Sequence, residues 1–199
     1  MATVRAMTMY DAAFGPDELS VQISELLVAT ADGTDPSIDR SVTEVLRALR
    51  ERLKMDVVFV SEFVDGQRVF RFVEGDNPPM APGEGNPLEE SWCKQVVDGR
   101  MPELVPDAAA IAKDIGLPHT DIAVGAHLST PIVLPDGSTY GTLCCYSAAP
   151  NHALRKRDLD NLRNCAVLVA RKVSTALRAH KASMDWALEP MDEQRWKLK

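Results

Sequence analysis

Residues 126–147 read AHLSTPIVLPDGSTYGTLCCYS. Two runs of apolar, β-branched and small polar residues, 126–134 and 139–147, flank the tetrapeptide PDGS at 135–138. A Pro- and Gly-containing turn between two such runs is typical of a β-hairpin. Because a hairpin pairs its strands in opposite directions, this stretch predicts an antiparallel sheet.

A second hairpin and two long helices are predicted outside this stretch. Asp65-Gly66 is a two-residue hairpin signal between the apolar runs 57–64 and 68–74. Apolar residues recur every three or four positions in 35–53, which opens with an Asp-Pro helix start, and in 155–182, which contains no Gly or Pro. Hairpins combined with separate helices indicate an α+β fold, an antiparallel sheet with helices grouped on one face.

The segment between the two hairpins is predicted to be irregular. Residues 75–87 hold three glycines and four prolines, which predicts a long loop of the kind that forms a binding lid. Residues 87–97 are predicted to be helical, 101–107 to be extended, and the Ala-rich residues after 107 to form a short turn. We therefore expect a binding site on the face of the sheet that the lid covers.

Composition excludes several function classes. With 199 residues, 45% of them hydrophobic and 26% charged, the chain has the length and composition of one globular domain. A net charge of −7 argues against nucleic acid or an anionic membrane as a direct partner. The sequence shows no membrane-length apolar run and no secretory leader, so we expect a cytoplasmic protein.

The four cysteines form neither a C-x-x-C pair nor a zinc spacing. This pattern predicts reduced thiols and no metal site. Cys144 and Cys145 are adjacent on a predicted strand, so their side chains point to opposite faces of the sheet and cannot ligate one metal together. Cys165 lies beside the apolar seam of the last helix and is predicted to be core.

Three stretches between residues 91 and 145 resemble segments of one known domain family. Residues 91–108, SWCKQVVDGRMPELVPDA, are similar to the central part of GAF domains. Residues 126–132, AHLSTPI, and 140–145, YGTLCC, are similar to their closing hairpin, and the resemblance covers about 37–182. It implies a central antiparallel sheet with N- and C-terminal helices on one face and a ligand pocket with lid loops on the other. The helices of such domains commonly dimerise and pass a signal onward.

The resemblance leaves the ligand open, since fold does not fix function. Bilin-binding members attach their chromophore through a Cys-His dipeptide, which this chain lacks, so no covalent bilin is expected. The residues that cyclic-nucleotide members use are also missing. Free methionine sulfoxide reductases use cysteines near the pocket, and Cys93 matches one of them, but their Trp-x-Gly-Phe-Tyr signature is absent. Haem ligated by His127 is a further possibility, and the cofactor is otherwise unknown.

The expected ligand-binding residues come from four predicted elements. His127 and Ser129 share one strand face, and such a pair inside an apolar cavity can orient a ligand carboxylate; a His bonded at a strand edge is the alternative. Trp92 is either pocket floor or a helix-to-sheet anchor, and Cys93 is either a reactive thiol near a helix start or a packing residue. The full predicted set is Phe59, Trp92, Cys93, His127, Ser129, Thr142 and Cys144.

The sequence thus predicts a regulatory domain at 35–182, with an N-terminal helical extension at 1–34, including a helix at 16–31, and a tail or linker stub at 183–199. The main hypothesis is a homodimeric sensory module that binds a small molecule, signals through its terminal helices and passes the signal to an output domain or partner. The alternative is a thiol-based sulfoxide reductase using Cys93 with Cys144 or Cys145. A dimerisation scaffold with a collapsed pocket is the third hypothesis.

Overall fold

The structure, a computed structural model, describes residues 37–187, so the helix predicted at 16–31 and most of the tail at 183–199 lie outside the described residues. The described chain forms four α-helices, α1 (Ser37–Leu53), α2 (Trp92–Val97), α3 (Ala108–Ile115) and α4 (Lys156–Ala187). It also forms six strands, β1 (Val57–Val64), β2 (Gln67–Gly75), β3 (Gly85–Pro87), β4 (Leu104–Val105), β5 (Ala126–Val133) and β6 (Thr139–Ser147).

The six strands form one antiparallel sheet in the order β3-β2-β1-β6-β5-β4. The two predicted hairpins, β1–β2 and β5–β6, meet at the centre, where β1 pairs with β6. In the first hairpin the turn residues Asp65 and Gly66 both have positive φ, 51° and 73°, as a two-residue turn of this kind requires. The predicted α+β fold is confirmed.

Helices α1 and α4 cover one face of the sheet. Leu46 and Leu49 of α1 and Leu162 of α4 are fully buried against Val58 and Leu143 of the two central strands. Each helix contributes an apolar stripe at three- and four-residue spacing, as the sequence predicts. Burying these stripes against the sheet builds the main core, and it leaves the opposite face of the sheet for the site.

Helix α4 starts one residue after the predicted position and extends five residues past the predicted end. The Asp158 carboxylate accepts a hydrogen bond from the backbone N–H of Arg155 at 2.8 Å, which satisfies a donor at the helix start. Within residues 37–187 no helix combines the length and the apolar character that a membrane span needs.

The lid prediction is wrong in part. Residues 85–87, predicted to be loop, form the edge strand β3 and pair with β2. A proline is tolerated there because Pro87 lies on an edge strand, where one side of the backbone needs no partner. The predicted helix at 87–97 is correspondingly shorter, with a 3₁₀ turn at Leu88–Glu90 before α2.

The short turn predicted after residue 107 is also wrong, because these residues form α3. Asp107 caps the helix by accepting a hydrogen bond from the Ala109 N–H at 3.0 Å, and Gly116 ends it in the left-handed conformation. The extended segment predicted at 101–107 contracts to the two residues of β4. The capping residues were visible in the sequence, but the Ala-rich stretch between them is too short to show a clear helical period.

Candidate functional site

A cavity of about 510 Å³ opens on the face of the sheet opposite α1 and α4. Its floor comes from the central strands, and its walls come from the residues 79–86, the start of α2 and the loop 119–124. Aromatic side chains of the floor pack edge to face: the rings of Phe59 and Phe70 lie 5.1 Å apart, and those of Phe59 and Tyr146 lie 6.5 Å apart. This is the face on which the sequence places the binding site.

Three of the predicted ligand-binding residues, Phe59, Trp92 and His127, line the cavity. The other four, Cys93, Ser129, Thr142 and Cys144, are completely buried and do not form its wall. The structure therefore brings all seven to the same face, in two layers. Their contact with a ligand remains a prediction.

The strand register explains this grouping. Cys144 of β6 lies between Phe59 of β1 and Ser129 of β5, and the three side chains point to the cavity face. Cys145 points the other way and packs in the helix-side core, as its adjacent position predicts. Cys165 belongs to that same helix-side core, so the predicted placement of both residues is confirmed.

A row of buried polar contacts runs beneath the cavity. The Cys93 and Cys144 sulfurs lie 3.1 Å apart without a disulfide, and Ser129 Oγ lies 2.9 Å from the Cys144 sulfur. The Cys144 thiol also contacts Thr142 Oγ1 at 3.1 Å, and that hydroxyl lies 2.9 Å from Ser61 Oγ. Each side chain of this row thus has a hydrogen-bond partner, which removes most of the cost of burying it.

Cys93 is the acidic member of the thiol pair. Burial by itself raises its pKa, but the hydrogen bond with Cys144, the charge of Arg68 and the contact with His127 lower the pKa of Cys93 well below its ordinary value. The guanidinium of Arg68 donates to the Cys93 sulfur at 3.4 Å. Burial and the neighbouring Cys93 raise the pKa of Cys144 well above its ordinary value. The geometry therefore favours a Cys93 thiolate that accepts a hydrogen bond from the Cys144 thiol.

His127 connects the two layers. Only 4% of the residue is exposed, and its ring meets the Trp92 ring edge to face, with the centroids 5.7 Å apart. Its Nδ1 is buried and has no hydrogen-bond partner in the described part of the chain. The expectation that His127 projects toward the pocket rather than outward at a strand edge is met. Trp92 lies in the cavity wall at the start of α2 and also packs in a small core with Val96 and Met101.

Arg68 is the residue that sequence reasoning missed. Its guanidinium lies 4.7 Å from the Phe70 ring centroid and 5.7 Å from that of Phe59, and its Nε donates to Asn86 Oδ1 at 2.9 Å. Among the residues that the structure describes, no carboxylate forms an ion pair with it. The sequence does contain a signal for this residue. Arg68 stands two residues before Phe70 on the same strand, and residues two apart on a strand share a face, which here is the cavity face.

Tyr146 adds a hydroxyl to the cavity wall. Burial, together with the charge of Asp56, raises the pKa of Tyr146 to about 12, so its phenol stays protonated at neutral pH. Its hydroxyl lies 3.9 Å from the Met80 sulfur, a weak contact for such a donor. The carboxylates in the lining, Glu84, Glu90 and Asp121, are on exposed residues. The cavity thus has a cationic, aromatic interior and an acidic rim.

Comparisons with known proteins agree with this geometry. The family profile described as GAF domain matches residues 35–173, which is more than half of the chain. No curated protein matches in sequence. The GAF domain of an Acinetobacter phosphoenolpyruvate-protein phosphotransferase superposes with a TM-score of 0.64 at 13% identity, covering 88% of this chain and 99% of that one.

Two further solved structures share the fold at similarly low identity. The GAF domain of a phosphoenolpyruvate-protein phosphotransferase from Coxiella burnetii has a TM-score of 0.63 at 18% identity, covering 84% of this chain and 99% of its own. The free methionine-R-sulfoxide reductase of Neisseria meningitidis, solved with its substrate, has a TM-score of 0.62 at 18% identity, covering 88% and 99%. At these identities the likeness shows the fold alone. The chain belongs to the GAF domain family.

Proposed function

We propose that this GAF domain is a regulatory module that binds a small anionic molecule in the cavity. The observation that carries the proposal is Arg68, a half-buried guanidinium in the cavity wall with no carboxylate partner among the described residues. Its hydrogen bonds go to Asn86 Oδ1 and to the Cys93 sulfur, and a ligand carboxylate or phosphate in the cavity would add the oxyanion partner that a partly desolvated guanidinium favours. The fork of N–H groups on a guanidinium also matches the two oxygens of such an anion.

The remaining lining favours a ligand with an apolar part. Phe59, Phe70 and Trp92 offer aromatic surface, and the Tyr146 hydroxyl is an additional donor. The volume of about 510 Å³ lies within the range of roughly 300–1,000 Å³ that small-molecule pockets occupy. A small organic acid with an apolar or aromatic group fits this combination of charge, volume and surface.

The fold supports a route from the cavity to the helices. Adjacent residues of β6, Cys144 and Cys145, belong to the cavity-side and helix-side clusters, so a shift of the central strands affects both faces. A ligand transmits a signal only if it binds one arrangement of α1 and α4 better than another. We extend this proposal to a homodimer formed through the terminal helices, which would cover Val167 and Leu177, two half-exposed side chains of α4. Sedimentation equilibrium of the full chain tests the dimer, and a monomer at all concentrations would contradict it.

A thermal-shift screen with matched ligand pairs tests the binding proposal. Each small carboxylic acid in the screen is paired with its primary amide, which has nearly the same shape but no charge. A ligand at 100 times its dissociation constant adds about 2.7 kcal/mol to the stability of the domain. We expect at least one acid to raise the melting temperature while its amide has little effect. Equal shifts from acids and amides, or no shift from any acid or phosphate, would contradict the proposal.

An absorption spectrum of the purified chain tests haem ligation by His127, because bound haem would give an intense visible band. A porphyrin would occupy the cavity in place of a small acid. We further propose that ligand binding is passed to an output domain or a signalling partner.

The distance between the Cys93 and Cys144 sulfurs favours a second candidate, a thiol-based sulfoxide reductase. In that reaction two thiols reduce one sulfoxide to a sulfide, the oxygen leaves as water, and the sulfurs become a disulfide that an external dithiol must reduce. With a dithiol reductant, turnover of methionine sulfoxide should then vanish in Cys93→Ala and persist in Cys165→Ala, which removes a thiol from the other core. Absence of turnover in the wild-type protein would exclude this candidate.

A further inference from the structure

We propose that Cys93, His127 and Cys144 bind a thiophilic divalent cation of the zinc class beneath the cavity. A ligand atom of each residue lies within 4.8 Å of those of the other two, and all three residues are buried. Two thiolate sulfurs and one imidazole nitrogen are the donor types that Zn²⁺ prefers. Among residues 37–187 no second group of three such side chains has this spacing. The site goes beyond the proposed function and does not depend on it.

The separation of the sulfurs is close to what a bound cation needs. Two sulfurs at about 2.3 Å from one tetrahedral Zn²⁺ lie roughly 3.8 Å apart. The observed Sγ–Sγ distance is 3.1 Å, so the two side chains must separate by less than about 1 Å. Cys93 lies on α2 and Cys144 on β6, which lets the sulfurs adjust without breaking the central ladder.

The Nδ1 atom of His127 is an independent observation that points to a ligand. It is buried and has no hydrogen-bond partner within residues 37–187, although such an atom normally has one. The edge-to-face contact with Trp92 fixes the ring beside the two sulfurs. A cation bound by a ring nitrogen requires the neutral imidazole, and it orders the second nitrogen as a donor for a neighbouring group. Buried position, fixed ring and missing partner together indicate a binding residue.

The charges at the site are compatible with both a cation and an anionic ligand. Two thiolates and a neutral imidazole balance a divalent cation, so the loaded centre has no net charge. Arg68, which donates to the Cys93 sulfur, then keeps its positive charge for an anion in the cavity. Three protein ligands also leave one position of a tetrahedral cation open.

The sequence could not predict this site because its ligands come from three separate elements, α2, β5 and β6. The prediction of no metal rested on the lack of a local zinc spacing and on the opposed faces of Cys144 and Cys145. The second argument stands, since Cys145 has no part in the cluster. The fold brings these three ligands together although they lie far apart in the sequence.

Titration of the full, reduced chain with Co²⁺ under anaerobic conditions tests the proposal. Co²⁺ bound to thiolates in tetrahedral geometry gives a near-ultraviolet charge-transfer band and intense visible bands. We expect these bands to saturate at one Co²⁺ per chain and to disappear when one equivalent of Zn²⁺ is added. Cys93→Ala and Cys144→Ala should each weaken binding by more than about 100-fold, since even the loss of an outer-shell partner costs 10- to 100-fold.

Two further measurements keep the test decisive. Cys165→Ala, which removes a buried thiol outside the cluster, should bind Co²⁺ like the wild-type chain. X-ray absorption of the Zn²⁺-loaded wild-type chain needs no variant, so it does not depend on the variants folding; it should show two sulfur ligands at about 2.3 Å and at least one nitrogen. Absence of thiolate-to-cobalt bands, or zinc with fewer than two sulfur ligands, would overturn the proposal. Neither result would affect ligand binding by Arg68.

Discussion

Arg68→Met is expected to weaken binding of an anionic ligand by about 10- to 100-fold while leaving the domain folded. Methionine keeps most of the length of the side chain and its contact with Phe59 and Phe70, but it removes the charge and the donors. A hydrogen bond to a charged group is worth about 1.5–3 kcal/mol, and about 1.4 kcal/mol corresponds to a factor of ten. Isothermal titration of both proteins with the best acid of the screen measures the effect.

Arg47→Met is the matched control for this experiment. Arg47 lies on α1 at the other face of the sheet and pairs with Glu74 on the surface, so its removal leaves the cavity intact. The control should bind the acid like the wild-type chain. If Arg47→Met weakens binding as much as Arg68→Met, the effect comes from net charge and the role assigned to Arg68 is wrong.

Gly141→Ala is expected to lower the free energy of unfolding by about 3 kcal/mol, the upper end of what overpacking costs. Gly141 lies on β6 opposite Glu62 of β1, and a Cβ at this position would overlap the carbonyl oxygen of Ser61. Because the obstacle is backbone, no change of side-chain rotamer can relieve it. Urea denaturation followed by circular dichroism measures the loss.

Gly137→Ala separates this clash from an ordinary glycine effect. Gly137 lies in the same hairpin and has a positive φ of 85°, but a Cβ there meets no atom within 4 Å. Its replacement should cost about 1–2 kcal/mol from backbone conformation alone. Should Gly141→Ala cost no more than Gly137→Ala, the close approach of β1 and β6 at the centre of the sheet would be refuted.

The fold was predictable where local patterns are strong. The Asp65-Gly66 turn and the apolar period of α1 and α4 are decided by short-range chemistry, and each appears at the predicted place. Strand β3 was not predictable, because its three residues, Gly85, Asn86 and Pro87, are too few to show a period and include two residue types that usually interrupt strands. They become a strand only because β2 offers them an edge.

A β-bulge in the first hairpin interrupts the alternation of side chains between the two faces of the sheet. The register between β1 and β2 shifts after Val60, so that Val60 pairs with Phe72 but Ser61 pairs with Phe70. Strict alternation puts Phe70 and Phe72 on one face, whereas the structure places Phe70 in the cavity and Phe72 against the helices. An extra residue in one strand leaves no mark in the sequence, so the face of these two rings could not be read from it.

From the sequence one can predict which residues share a face of the sheet, but not the contacts within the candidate site. The period of two put His127 and Ser129 on one face of their strand, and it separated Cys144 from Cys145 without deciding which of the two faces the cavity. The arrangement of the site in two layers depends on how α2 packs Cys93 onto the sheet, a long-range contact. Arg68 was not predicted either, because an arginine on a strand usually faces solvent.

The crystal structure of the chain with the best acid of the screen would locate the bound anion. We expect the acid in the cavity, with its carboxylate or phosphate oxygens about 2.7–2.9 Å from the nitrogens of the Arg68 guanidinium and its apolar part against Phe59 and Trp92. A ligand bound on another surface, or one whose charged group turns away from Arg68 toward solvent, would contradict it.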